Sequence, residues 1–97
     1  MTDARLPYDF LHVLTLSPAG GHRLRFRFSN GSEGVHDFAG MVAEPGRMLE
    51  PLRDPDYFAR AFVDDGAPAW PNGFDIDPTY LHHEMKAAGE LRRSDAA

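Results

Sequence analysis

Residues 22–28, HRLRFRF, alternate without a break. Leu24, Phe26 and Phe28 fall on one face, and Arg23, Arg25 and Arg27 on the other. This period of two is the pattern of a half-buried β-strand. Asn30-Gly31 follows, a pair suited to the positive backbone angles of a tight hairpin turn. EGVHDF, residues 33–38, reads as the return strand, with Val35 on one face and His36 and Phe38 near the other.

The flanking segments extend this pattern. FLHVLTL, residues 10–16, reads as a strand closed by Ser17-Pro18-Ala19-Gly20-Gly21. Residues 39–53 hold Pro45-Gly46 and Pro51, which exclude a long helix, and read as a loop with a short turn or strand. Asp54-Pro55-Asp56 is a helix start. Asp54 caps, Pro55 takes the first helical position, and Asp56 complements the positive end of the helix dipole. Two turns are expected there, with Phe58 and Phe62 facing the core together. AFVDDGAPAW then reads as a second hairpin turning at Asp65-Gly66.

AWPNGFDIDP, Ala69 to Pro78, is the most distinctive run in the chain. Each residue has a structural task. Trp70 fills the core at a strand end, Pro71 ends the strand, and Asn72-Gly73 turns the chain. Asp77-Pro78 opens a final helix, PTYLHHEMKAAG, on which Leu81, Met85 and Ala88 form the apolar stripe and after which Gly89 stops. A functional reading of the same run makes Trp70, Asn72 and Asp75 a small polar pocket beside an aromatic wall. The element order strand-strand-strand-helix-strand-strand-helix predicts an α+β domain. Its antiparallel sheet of hairpins has two short helices packed on one face. One domain is expected over residues 1–97, with an ordered core of about 8–89 and a frayed tail at 90–97.

The absence of cysteine excludes disulfides and thiolate metal sites and fits a cytoplasmic setting. No signal peptide is read at the N-terminus, and no window nears the ~20 apolar residues of a membrane span. The net charge of −5 is unevenly laid out. Residues 1–49 balance, whereas residues 50–84 carry eight acids against Arg53 and Arg60, net −6. An acidic half disfavours general nucleic-acid binding, since phosphates need Lys and Arg. It favours a protein partner with a basic surface.

Other chemistry is poorly supported. His82 and His83 are adjacent on a helix and point about 100° apart, so they do not share a face. His12, His22 and His36 lie on neighbouring strands, but without the spacing of a ligand set, so no metal and no cofactor is expected. The serines lie in turns or the tail, with no nucleophile-elbow pattern, and no phosphate-binding glycine loop is present. The Asp64-Asp65 and Asp75/Asp77 pairs read as turn and cap residues rather than an acid–base pair. The Arg23/Arg25/Arg27 stripe reads first as a solvated strand face pairing across to Glu33 or Asp37. Its second reading is contact with phosphates or an acidic partner.

A resemblance adds to this. LRDP (Leu52–Pro55), Phe58, Val63, WPNG (Trp70–Gly73), Asp75, Pro78 and Leu81 resemble the signature of a bacterial family of domains of unknown function, number 2442. LRFRFSNGSEGVHDF is similar to that family's strand–turn–strand ending in an aspartate, here Asp37. The resemblance covers about residues 10–85 and is weakest over 39–51. It departs at Asn30-Gly31, where the family's usual turn is Asp-Gly. It implies a small antiparallel α+β domain with no agreed catalytic residues. Some members carry an added helix-turn-helix domain, which is not read in these residues. Others are encoded beside a second small protein, in an arrangement similar to a toxin–antitoxin pair.

The expectation is therefore a non-enzymatic, acidic binding protein. It would be an inhibitor or antitoxin-like module, such as a phage or mobile-element inhibitor of host defence of the anti-CRISPR kind. Asp54, Asp56, Asp64, Asp65, Asp75 and Asp77 would dock on a basic, nucleic-acid-handling protein. Phe38, Phe58 and Trp70 would support them through packing or as an apolar anchor, with Trp70 counted in the binding set. The alternative is a small-ligand-binding or DNA-associated regulatory module that uses the Trp70–Asp75 corner or the arginine stripe.

Overall fold

The computed structural model describes residues 11–93. Its first three strands are β1 (Val13–Pro18), β2 (Arg23–Phe28) and β3 (Ser32–Asp37). Two short helical segments follow, α1 (Ala39–Val42) and a single 3-10 turn (Pro51–Arg53). The remainder is α2 (Pro55–Phe58), β4 (Phe62–Asp64), β5 (Ala67–Ala69), α3 (Pro78–Ala87) and β6 (Arg92–Arg93). The main sheet is antiparallel in the order β1-β2-β3-β6, and β4-β5 is a separate hairpin. The backbone N–H of Val13 donates to the Gly66 carbonyl at 2.8 Å and ties that hairpin to the start of β1. This is the small α+β fold the sequence predicts, with α1 and β6 added.

The alternation in β2 sorts its side chains as expected. Leu24, Phe26 and Phe28 are buried and the three arginines are exposed. The core also takes Val13, Phe38, Val42, Leu52, Phe58, Trp70, Leu81 and Met85. A run of aromatic contacts crosses it, from Phe26 to Phe38 (6.0 Å between centroids), to Phe58 (5.7 Å), to Trp70 (5.4 Å) and to Phe74 (5.8 Å). Fully burying one such side chain is worth roughly 1.5–3 kcal/mol, so this chain of rings is a large share of a small domain's core.

Both Asp-Pro starts cap as predicted. The Asp54 side chain accepts from the Asp56 N–H at 3.0 Å, and the Asp77 side chain from the Thr79 N–H at 3.0 Å. The second hairpin turns at Asp65-Gly66, whose φ values of 53° and 83° are the positive pair that a two-residue turn requires.

Five expectations are corrected. At Asn30-Gly31 only Gly31 has positive φ (89°), and its N–H donates to the Phe28 carbonyl, so the loop has three residues with a left-handed glycine. Asn30 serves through its side chain, whose Oδ1 accepts from the Ser32 N–H and hydroxyl. Ser17 and Pro18 belong to β1, where proline is tolerated because the strand is an edge. Residues 39–53 hold helical turns, pinned by Arg53, which donates to the Val42 and Glu44 carbonyls. α2 is one turn long. Phe58 is buried, but Phe62 lies in β4 and is 44% exposed, and Ala88 is likewise exposed.

The fifth correction concerns the tail. Residues 90–93 are ordered against β3, with Ser32 paired to Arg93 and Glu33 to Arg92. Gly34 permits this, since a Cβ there would collide with the Glu90 carbonyl oxygen. Residues 8–10 and 94–97 lie outside the described residues. Among the described residues no helix is long and apolar enough to cross a membrane.

Candidate functional site

Antiparallel partners share a face, so the register defines what lies on the side of the sheet away from the core. Arg27 sits between Thr15 and Glu33, Arg25 between Ser17 and Val35, and Arg23 opposite Asp37. Arg92 lies across from Glu33. Glu33 and Val35 are half-buried and every other residue of this set is exposed. No described element covers this face.

Glu33 is the anionic hub of the face. Its carboxylate accepts from Arg92 Nε and Nη2 at 3.2 and 3.0 Å, and Arg27 Nε approaches it at 3.9 Å. Arg23 donates its Nε–H to the Gly20 carbonyl at 3.3 Å. Arg25 has no carboxylate opposite it on either neighbouring strand. Successive arginines on β2 stand about 7 Å apart. Positive surface continues round the β6 edge into a depression lined by Asn30, Ser32, His82, Lys86, Leu91, Arg92 and Arg93, without a carboxylate. Arg92, Arg93 and Lys86 are the functional candidates that sequence reasoning missed. A two-residue strand has no alternation to detect, and its partner lies 59 residues away for the Glu33–Arg92 bond.

The six aspartates do not gather into one patch. Asp64 and Asp65 form the exposed hairpin tip beside His12 and Val13. Asp54 and Asp56 lie next to the 3-10 turn that meets His22. These are opposite ends of the β1–β2 ladder, roughly 17–20 Å apart along the strands. Asp75 bridges to Ala69, and Asp77 is engaged as a cap. Trp70 is 1% exposed and its indole N–H donates to the Phe58 carbonyl at 2.9 Å. It acts through packing, as do Phe38 and Phe58, rather than as a surface anchor. Asn72 is also engaged internally. Its amide donates to the Met48 carbonyl and its Oδ1 accepts from the Phe74 N–H. The Trp70–Asn72–Asp75 corner is a folded turn.

The strand histidines go to three separate places. His12 packs against Gly66. His22 Nε2 lies 3.0 Å from both the Leu52 and Arg53 carbonyls, which fixes that nitrogen as the protonated donor. His36 Nδ1–H donates to Glu90 Oε1 at 2.7 Å. On α3, His82 packs edge-on to Phe28 with centroids 5.0 Å apart, while His83 is exposed. Among the described residues no group of three or more His, Asp or Glu side chains could hold a metal ion.

Comparison with known proteins identifies the family and the fold. Residues 13–87 match the family described as Protein of unknown function (DUF2442), and the chain belongs to that family. No curated protein matches the chain. Among solved structures the fold is similar to the crystal structure of "Putative DNA Binding Protein NE0471" from Nitrosomonas europaea ATCC 19718. The TM-score is 0.68 at 22% identity, over 82% of this chain and 52% of that one. The present chain thus spans about half the length of that protein.

Proposed function

We propose that this chain is a non-enzymatic, DNA-associated regulatory module that meets phosphates with the open arginine face of its sheet. The observation that carries the reading is the row Arg23, Arg25, Arg27 with Arg92 beside it, exposed on one face of the main sheet. Guanidinium groups suit phosphate oxygens because their planar fork donates two parallel hydrogen bonds. The name carried by the Nitrosomonas europaea structure of similar fold supports this reading. The chain's net charge of −5 opposes it at long range, so binding is expected to be weak and confined to low salt.

The test is a gel shift or anisotropy titration on duplex DNA across a salt series. Each phosphate contact contributes about −0.9 to the slope of log affinity against log salt. The triple variant Arg23→Ala, Arg25→Ala, Arg27→Ala should lower that slope by about two to three and keep the native circular dichroism spectrum. No binding by the wild type at low salt ends the reading.

A second reading keeps the acidic half as the docking surface of an inhibitor or antitoxin-like module on a basic, cytoplasmic protein. Its support is that the carboxylates of Asp56, Asp64, Asp65 and Asp75 are exposed and make no hydrogen bond or ion pair among the described residues. Pull-down from host extract through a salt series tests it, with Asp56→Lys and Asp64→Lys as the variants. Asp65 is left-handed, so Asp65→Asn removes its charge without the strain of lysine there. Capture that survives both charge reversal and high salt overturns it.

A further inference from the structure

We propose that the cleft between α1 and α3 is a binding site for a small organic cation with an apolar body, an amine or ammonium compound. The proposal is independent of the arginine face, which belongs to the opposite side of the sheet.

The cleft has a volume of about 340 Å³, at the lower end of small-molecule sites. Met41, Ile76 and Leu81 give it apolar walls, and Phe38 and Tyr80 give it aromatic ones. His36, Glu44 and Glu84 are its titratable side chains, and no lysine or arginine lines it. The carboxylates of Glu44 and Glu84 have no hydrogen-bond or ion-pair partner among the described residues. Arg53, the cation nearest Glu44 in the hydrogen-bond network, is spent on the Val42 and Glu44 backbone carbonyls.

His36 is held for the role of a fixed wall. Its Nδ1–H donates to Glu90 and its ring packs edge-on to Phe38 with centroids 4.7 Å apart. That leaves Nε2 as its ring nitrogen without a partner. The cleft therefore combines apolar surface, two aromatic rings and two unpaired anionic groups. This combination is complementary to an ammonium group on a hydrophobic body. The cation is attracted by the carboxylates and by the face of Tyr80, and the body replaces water on Met41 and Ile76. An anionic ligand of the same shape is repelled by the Glu44 and Glu84 carboxylates.

Titrating the full chain with 2-phenylethylamine tests this, followed by amide and side-chain NMR, with phenylacetate as the control of opposite charge. Saturable shifts at His36, Met41, Ile76 and Tyr80 with the amine, and none with phenylacetate, are expected. Combining Glu44→Gln with Glu84→Gln should weaken the amine about tenfold and leave the rest of the spectrum unchanged. Equal binding of phenylacetate overturns the proposal, as do unchanged affinity in the double variant and shifts mapping elsewhere. A lysine-rich peptide that shifts these resonances when the amine does not also overturns it, and makes the cleft a protein-docking surface. DNA binding is expected to persist in the double variant, so loss of one activity does not imply loss of the other.

Discussion

Asn30 donates its side-chain amide to Nε2 of His82 at 3.2 Å, joining the β2–β3 loop to α3 across 52 residues. The direction of the bond is fixed by the other end of the amide. Oδ1 of Asn30 already accepts from the Ser32 N–H at 3.0 Å and the Ser32 hydroxyl at 2.6 Å, so Nδ2 is the donor. His82 Nε2 must then accept, which requires a neutral ring. Burial, and after it the charges of Lys86 and His83, hold its pKa below the ordinary 6.5.

A histidine with a lowered folded pKa is protonated first in the unfolded chain. Its contribution to stability is therefore present above the ordinary value and is lost as pH falls through 6.5 toward the lowered one. Thermal melts from about pH 8 to about pH 5 should show the wild-type Tm falling more steeply than that of His82→Gln. Parallel curves would show that protonation of His82 is not linked to folding.

Trp70 anchors α2 to β5 through a single buried bond, its indole N–H to the Phe58 carbonyl. Replacing it separates packing from hydrogen bonding. Trp70→Phe keeps an aromatic ring but removes that bond and leaves the Phe58 carbonyl with the Ala61 N–H alone, which costs about 0.5–1.5 kcal/mol. Trp70→Ala also opens a cavity and costs about 3–5 kcal/mol. Urea unfolding should rank them in that order, and the alanine variant should lose a large part of the 5–15 kcal/mol typical of a domain.

What the sequence made legible was local. The β2 alternation, both Asp-Pro caps and the Asp65-Gly66 turn depend on residues a few positions apart, and all are present. What it hid depends on distant pairs. The arginines that widen the basic face come from a strand only two residues long, joined to β3 across most of the chain. The cleft unites α1 with α3 and β3, and no window of sequence contains all three. The sequence around Trp70 allows both a core and a surface role, and only burial with a satisfied indole N–H decides for the core.

Gly34 is the contact point that lets the chain after α3 return to the sheet. A Cβ there meets the backbone of Glu90 rather than a flexible side chain, so the clash cannot be relieved by a rotamer change. Gly34→Ala should destabilise the domain by about 1–3 kcal/mol. It should also release Glu90 from His36 and residues 92–93 from β3. Hydrogen exchange at β6 should rise to open-chain rates while β1 and β2 remain protected. Retained protection at β6 would show that the strand docks without Gly34.

Glu33 is the residue by which the arginine face restrains itself. It holds Arg92 at 3.0 Å and draws Arg27 to 3.9 Å, occupying two of the four cations proposed to meet phosphate. Surface ion pairs of this kind contribute only about 0–1 kcal/mol, so removing the carboxylate should barely change stability. Glu33→Gln frees both guanidinium groups and removes one like charge to DNA. Affinity for duplex DNA should rise, and the salt dependence should steepen by one to two units of slope, at about 0.9 per added contact. Anisotropy titrations of wild type and variant over the same salt series measure both. An unchanged slope would mean that Arg27 and Arg92 do not touch phosphate, and would confine the contact to Arg23 and Arg25.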